Sequence, residues 1–247
     1  MSETTESSEP VQAESDIRVA VLVPVRDQCV SLFAQSLALN IGYIAKHHPE
    51  VDACLYFNNG SVIAEQRLGL ARLALQDGAH WTIWFDADMR FPKDTIERLL
   101  AHKQPIVAAN YPTRRMPAIE PTAFVDDESQ ERVYTLKDSI GLQPVAAVGF
   151  GCIAVHRSVF EAMELPWFAT PWSEQDMKFE CGEDVYFCRK ARAAGFQVLI
   201  DHDLSKEIAH VGQMEFDSII ASGLRHKVKE LKPRLVNNQV NAIVSAA

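Results

Sequence analysis

Trp81-Thr82-Ile83-Trp84-Phe85-Asp86-Ala87-Asp88-Met89 is an apolar run that ends in two carboxylates one residue apart. It is rich in aromatic and β-branched residues and of the length expected for a buried strand. Asp86 and Asp88 then sit where the strand leaves its sheet, and a turn there lets both side chains converge. Two neighbouring carboxylates repel, so such a pair is most comfortable around a hard divalent cation. A cation held this way can grip a pyrophosphate. The same residues also read as a loop acid followed by a helix N-cap ahead of Pro92.

On either side of this run, strand-like and helix-like segments alternate. Val19 to Val25 is β-rich and closes in Pro24-Val25-Arg26-Asp27, and residues 31–46 place Phe33, Leu37, Ile41 and Ile44 at helical spacing. Cys54 to Phe57 reads as a short strand ending in the turn signal Asn58-Asn59-Gly60-Ser61. Residues 62–76 carry Ala64, Leu68, Ala71 and Leu75 on one helical face, with Gly78 as a stop. After the acid pair, a helix from about Lys93 to His102 leads to a strand at Ile106 to Ala109.

Three strand–helix units in succession predict an α/β fold built on a doubly wound, mainly parallel sheet with helices on both faces. Ligands of such sheets bind beyond the carboxyl ends of the strands. That rule gathers Pro24–Asp27, Asn58–Ser61 and Asp86–Asp88 on one rim.

The second half changes character. Residues 110–145 are polar and irregular, with a possible hairpin around Arg132–Leu136. Val145 to Val155 reads as one long strand interrupted by Gly149 and Gly151, a mark of a bulge or of close approach by a ligand. A helix over 183–194 closes at Gly195, and Gln197 to Asp201 returns as a strand. Glu215 to Leu235 reads as a helix carrying Arg225, Lys227, Lys229, Lys232 and Arg234, either a solvated face or a contact with an anionic surface.

The bulk numbers fit a globular chain. Of 247 residues, 47% are hydrophobic and 23% charged, which is ordinary. The net charge of −9 is concentrated at the start: residues 1–16 hold five acids and no base, leaving −4 for the rest. That leading Ser/Thr/Glu-rich segment has little to bury and is expected to be a disordered tail. It lacks the basic start and apolar core of a signal peptide, and no apolar run reaches membrane-spanning length. The five cysteines are scattered with no C-x-x-C pair, which argues against a zinc site or disulfide framework and for a reducing, cytoplasmic setting.

Four features occur in fixed order: Asp86-Ala87-Asp88, Gly149-Phe150-Gly151, Gly182-Glu183-Asp184 and His210-Val211-Gly212, with Phe91-Pro92 behind the acid pair. This set resembles the glycosyltransferases of the GT-A fold, closest to family 2-like enzymes and to a compact form common in phage and bacterial genomes. The resemblance spans roughly residues 18–213. It implies a GT-A domain over 17–213, with a nucleotide-binding half (17–110) and a smaller acceptor-side half (111–213), followed by a helical extension over 214–247.

It also implies roles. Pro24, Val25, Arg26, Asn58 and Asn59 would flank base and ribose of a UDP- or GDP-linked sugar, with Arg67 reaching ribose or phosphate. Where family 2 enzymes usually carry an acid pair before Gly-Ser, this chain has Asn58-Asn59. Asp86 and Ala87 would contact the nucleotide. Asp88, Asp86 and His210 would hold the metal, with an imidazole favouring Mn²⁺ over Mg²⁺. Asp184 would be the general base of an inverting hexosyl transfer, with Glu183 orienting the acceptor. The helix dipole alone would also favour acids at these two positions.

Arg114 and Arg115, Gly149 and Gly151 would lie on the sugar side. Trp167 and Trp172 would serve the acceptor, which is a glycan, a lipid carrier, a protein or a modified base in DNA. Three alternatives stand beside this reading. One is a retaining enzyme of the same fold. Another is a nucleotidyltransferase, although those typically open with a Gly-rich basic loop where this chain has Pro24-Val25-Arg26-Asp27-Gln28. The last is a non-catalytic nucleotide- or sugar-binding module.

Overall fold

A computed structural model describes residues 17–114, 119–126 and 131–212. In chain order the elements are β1 (Ile17–Val25), α1 (Ser31–His47), β2 (Val51–Asn59), α2 (Ile63–Gln76) and β3 (Trp81–Phe85). Next come β4 (Met89–Arg90), α3 (Thr95–Ala101), β5 (Ile106–Ala108), β6 (Leu142–Val145), β7 (Cys152–His156) and α4 (Arg157–Glu161). The last are β8 (Trp172–Ser173), β9 (Lys178–Phe179), α5 (Glu183–Ala193), β10 (Val198–Asp201), α6 (His202–Ser205) and β11 (Ala209–His210).

Seven strands form one mixed sheet in the order β2-β1-β3-β7-β5-β10-β6. Five of them (β1, β2, β3, β5 and β10) run in the same direction, so the sheet is mainly parallel, while β7 and β6 run against it. The central strands are apolar on both faces because both faces are covered. Along β1, Ala20 and Leu22 enter a core shared with α2, α4 and α5. Val19, Val21 and Val23 enter a second core with α1, α3 and α6. Trp84, fully buried, closes its indole hydrogen bond on Thr82, whose hydroxyl donates to the Val155 carbonyl.

Several sequence expectations need correction. The run from Val145 to Val155 is not one strand. It divides into β6 and β7, which lie at different places in the sheet, with the two glycines in the connection between them. The expected hairpin at Arg132–Leu136 reduces to isolated bridges, Phe124 meeting both Arg132 and Ala147. The helix expected from Lys93 begins later, at Thr95. The tail 1–16, Arg115 and the helix expected over Glu215–Leu235 lie outside the described residues. No described helix is long and apolar enough to cross a membrane.

One buried polar side chain ties α1 to α3. Asn40, fully buried, donates to the Pro92 carbonyl at 2.6 Å and accepts from the Ile96 amide at 3.1 Å, so it takes up two backbone groups at the start of α3. Replacing it leaves the buried Ile96 amide unpaired, while the Pro92 carbonyl keeps the Thr95 amide and hydroxyl. Asn40→Ala is therefore expected to lower unfolding stability by about 2–3 kcal/mol, read as a lower urea midpoint with an unchanged slope.

Candidate active site

The carboxyl ends of β1, β3 and β5 open onto a cavity of about 490 Å³. Its walls include Pro24 in the last residues of β1 and Arg26 just after it, Asp86, Ala87 and Asp88 after β3, and Tyr111 and Arg114 after β5. Arg67 from α2, Phe150 from the β6–β7 connection, Glu183 and Asp184 from the first turn of α5, and His210 from β11 also line it. Asp88 and Asp184, nearly a hundred residues apart, thus share one cavity.

The acid pair sits on a turn. β3 stops at Phe85, the Met89 amide returns to the Asp86 carbonyl at 3.1 Å, and β4 begins at Met89. Asp86 is engaged by Arg67, whose Nη2 lies 3.0 Å from Oδ1. The same guanidinium meets Glu183 Oε1 through Nε at 3.1 Å and stands over the rings of Phe150 and Trp84. Its side chain is only 3% exposed. Burial works against its charge, but Asp86, Glu183 and Asp184 outweigh burial and raise its pKa.

Asp88 belongs to a second group. β4 and β11 pair antiparallel with His210 opposite Met89, and the Val211 amide donates to the Asp88 carbonyl at 2.8 Å. This brings His210 Nε2 to 3.3 Å from Asp88 Oδ1, while Arg114 Nη2 lies 2.7 Å from Oδ2. The far nitrogen of the ring, Nδ1, stands 3.2 Å from the Pro112 carbonyl, which can only accept. That contact places a proton on Nδ1; a second proton on Nε2 makes the ring a cationic donor to the carboxylate, and without it Nε2 keeps a lone pair that a metal could use. Burial opposes ionisation of Asp88, but His210 and Arg114 hold its carboxyl below the usual range.

Asp184 has no ion pair among the described residues. Its Oδ1 accepts from the Val185 amide at 2.7 Å, and a Cβ on Gly182 would lie 2.7 Å from that oxygen, so the carboxylate needs a glycine there. Burial first, and the neighbouring Glu183 second, push its pKa up to about 6.

The other expected residues fall elsewhere. Val25 is buried beneath the rim. Asn58 donates to the Gln66 carbonyl and Asn59 points to solvent, and neither lines the cavity. Gly149 and Gly151 do not line it either: a Cβ on either would come within 2.6 Å of the Tyr111 hydroxyl. Trp167 packs on Phe160 and donates to the Met163 carbonyl. Trp172 is half-exposed on the small β8–β9 ribbon, edge-on to Phe179. Sequence reasoning missed Tyr111 as a wall residue. Its signal was its place directly after a strand end, in Asn110-Tyr111-Pro112.

A divalent cation suits this donor set only in part. Among the described residues no three His, Cys, Asp or Glu side chains form a closed metal site. Asp88 Oδ1 and a neutral His210 would present two facing acceptors, while Arg114 holds Asp88 Oδ2 and Arg67 holds Asp86.

Fold and cavity together define an α/β protein with an acid-lined site at the carboxyl edge of a mainly parallel sheet. No protein-family model matches the chain, and no curated protein matches it by sequence. Among solved structures it is similar to A197 from STIV, at 14% identity and a TM-score of 0.47, over 81% of this chain and 98% of that one. It is also similar to S. aureus TarS 1-349 in complex with UDP-GlcNAc, at 12% identity and a TM-score of 0.45, over 81% of this chain and 60% of that one. A further TarS 1-349 structure gives 13% identity and a TM-score of 0.44, over 78% of this chain and 60% of that one.

Two predictions rest on the buried charges. Arg67→Met leaves Asp86 and Glu183 facing each other without a cation and is expected to cost about 3–5 kcal/mol of stability, measured by denaturant unfolding. Asp184 has a folded-state pKa above its unfolded value, so between about pH 4 and 6 the folded chain binds the extra proton. Its contribution to stability is full at low pH and is lost as pH rises through that window. Asp184→Asn is therefore expected to exceed the wild type at pH 8 by about 1–2 kcal/mol, after discounting for solvent, and to match it near pH 4.

Proposed function

We propose that this chain is a glycosyltransferase of GT-A type that moves a sugar from a nucleoside diphosphate to an acceptor hydroxyl. One observation carries the reading: a single cavity unites the Asp88–His210–Arg114 group with a separate carboxylate, Asp184, whose pKa is pushed up to about 6. Transfer from an activated donor needs two such parts, one to receive negative charge on the departing diphosphate and one to take a proton from the nucleophile.

In this reading Asp184 accepts the proton of the acceptor hydroxyl as its oxygen bonds to the anomeric carbon. The bond from that carbon to the diphosphate oxygen breaks, and its electron pair leaves with the nucleoside diphosphate. A base on the side opposite the leaving group gives inversion. Arg114 and Arg26 supply positive charge at the mouth of the cavity, and Arg67 fixes Asp86 and Glu183 beside the nucleotide. Asp88 and His210 are the residues that would hold a divalent cation, Mn²⁺ in preference to Mg²⁺ because one ligand is an imidazole. The remaining ligands would come from the donor's phosphate oxygens and water. When bound, such a cation neutralises charge on the leaving diphosphate.

The test is to incubate the full chain with UDP- and GDP-sugars and Mn²⁺ and to measure released nucleoside diphosphate. Asp88→Ala is expected to reduce release at least 100-fold and to abolish its metal dependence. Asp184→Asn is expected to retain donor binding while losing about 10²–10⁴ in transfer. In the wild type, kcat/KM is expected to fall as pH drops through about 6, where Asp184 gains its proton. Pyrophosphate release from a nucleoside triphosphate would replace this reading with a nucleotidyltransferase. Nucleotide binding without turnover would replace it with a binding module.

A further inference from the structure

Three arginines line the cavity, and they are anchored very differently. Arg67 is 3% exposed and locked between Asp86 and Glu183. Arg26 stands largely in solvent, 3.5 Å from its neighbour Asp27. Arg114 lies between these extremes. Its side chain is 48% exposed, Nη2 lies 2.7 Å from Asp88 Oδ2, and Nη1 donates to the Val211 carbonyl at 3.3 Å. An arginine held by two oxygens, with half its side chain in water, leaves them at little cost.

Asp88 does not share that freedom. The Val211 amide holds its carbonyl at 2.8 Å, beside the pairing of β4 with β11. Its carboxylate is therefore a fixed point. His210 Nε2 faces Oδ1 at 3.3 Å, so Oδ2 is the oxygen that Arg114 withholds from a cation. A divalent ion beside Asp88 would also stand close to the guanidinium, and like charges repel. A diphosphate reverses the balance. It offers the guanidinium more negative charge than one carboxylate, with paired oxygens that suit its planar fork, and it brings the ion further oxygen ligands.

We infer that Arg114 is a built-in counter-cation of Asp88 that is exchanged on donor binding: its guanidinium moves from Oδ2 to the donor's diphosphate and releases that oxygen to the divalent cation. This rests on the glycosyltransferase reading and deepens it. Arg114 is then a positioning residue that makes cation and nucleotide enter together. Alone, the cation competes with the arginine. With the nucleotide it does not, and by linkage each raises the other's affinity by the same factor.

The experiment measures Mn²⁺ binding to the full chain by electron paramagnetic resonance of the free ion. It is run with and without UDP or GDP, allowing for Mn²⁺ held by the nucleotide in solution, on the wild type, Arg114→Gln and Arg114→Met. Without nucleotide, both variants are expected to bind Mn²⁺ about 10-fold more tightly than the wild type. With nucleotide bound, Mn²⁺ affinity is expected to stay within about threefold of the wild type, so the coupling between the two ligands falls. An arginine that merely ties the loop to β11 predicts the opposite, since its loss would loosen the Asp88–His210 pair. Unchanged or weaker Mn²⁺ binding by the variants without nucleotide, or unchanged coupling, would overturn the assignment and leave the glycosyltransferase reading standing. A wild type that binds neither nucleotide in the presence of Mn²⁺ overturns both. Should Arg114→Met not fold, Arg114→Gln decides by the same readings, because its amide can still donate to the Val211 carbonyl.

Discussion

The guanidinium of Arg67 is the constraint around which the cavity is organised. It joins three segments distant in sequence: α2, the end of β3 through Asp86, and the start of α5 through Glu183. Removing a cation and two carboxylates from water is expensive, and their mutual attraction recovers that expense only with close geometry and filled hydrogen-bonding positions. Here both carboxylates lie at hydrogen-bonding distance, the Phe150 carbonyl takes a third N–H, and aromatic rings cover the planar faces. Such a knot holds the first turn of α5 against the end of β3, and with it the spacing across the cavity.

The four acids of the site are thereby given different electrostatic surroundings. Asp86 and Glu183 share a buried cation. Asp88 has an arginine on one oxygen and an imidazole on the other, which keep it ionised. Asp184 has an acid neighbour and no counter-charge in contact, so its proton is exchanged in the mildly acidic range. Divergent surroundings for chemically similar groups are how one site separates charge-binding from proton-transfer roles. The same logic accounts for Gly182: a side chain there would displace the one carboxylate that is not tied down by a cation.

Much of the fold could be read from the chain because the central strands are buried on both faces. The apolar runs at Val19–Val25 and Trp81–Phe85 have no other plausible home. Strand direction is not encoded in such a run, so the antiparallel insertion of β7 between β3 and β5 left no mark. The glycines at 149 and 151 announced a close approach, but the approaching group is Tyr111 from another segment, and nothing local names a partner forty residues away. Asp86, Asp88, Glu183 and Asp184 could be read as a candidate site only through the fixed order of the motifs, because acids at a strand-end turn or in the first turn of a helix also have ordinary structural roles. Arg67, which the resemblance turned towards ribose or phosphate, sits between two carboxylates instead, and the chain alone could not show it. On an amphipathic helix an arginine normally faces water, and only the two carboxylates waiting at its tip make the buried position tolerable. The family resemblance implied Asn58 and Asn59 as nucleotide contacts, whereas β2 lies at the sheet edge, where Asn58 bonds with Gln66.

The pairing of β4 with β11 is only two residues long and stands outside the seven-stranded sheet. The imidazole wall of the cavity is therefore a detachable part: its loss or exchange would leave the large cores and the Arg67 knot intact. A lineage of such chains could alter the chemistry of this wall by changing a few residues around Ala209–His210 without rebuilding the scaffold beneath them.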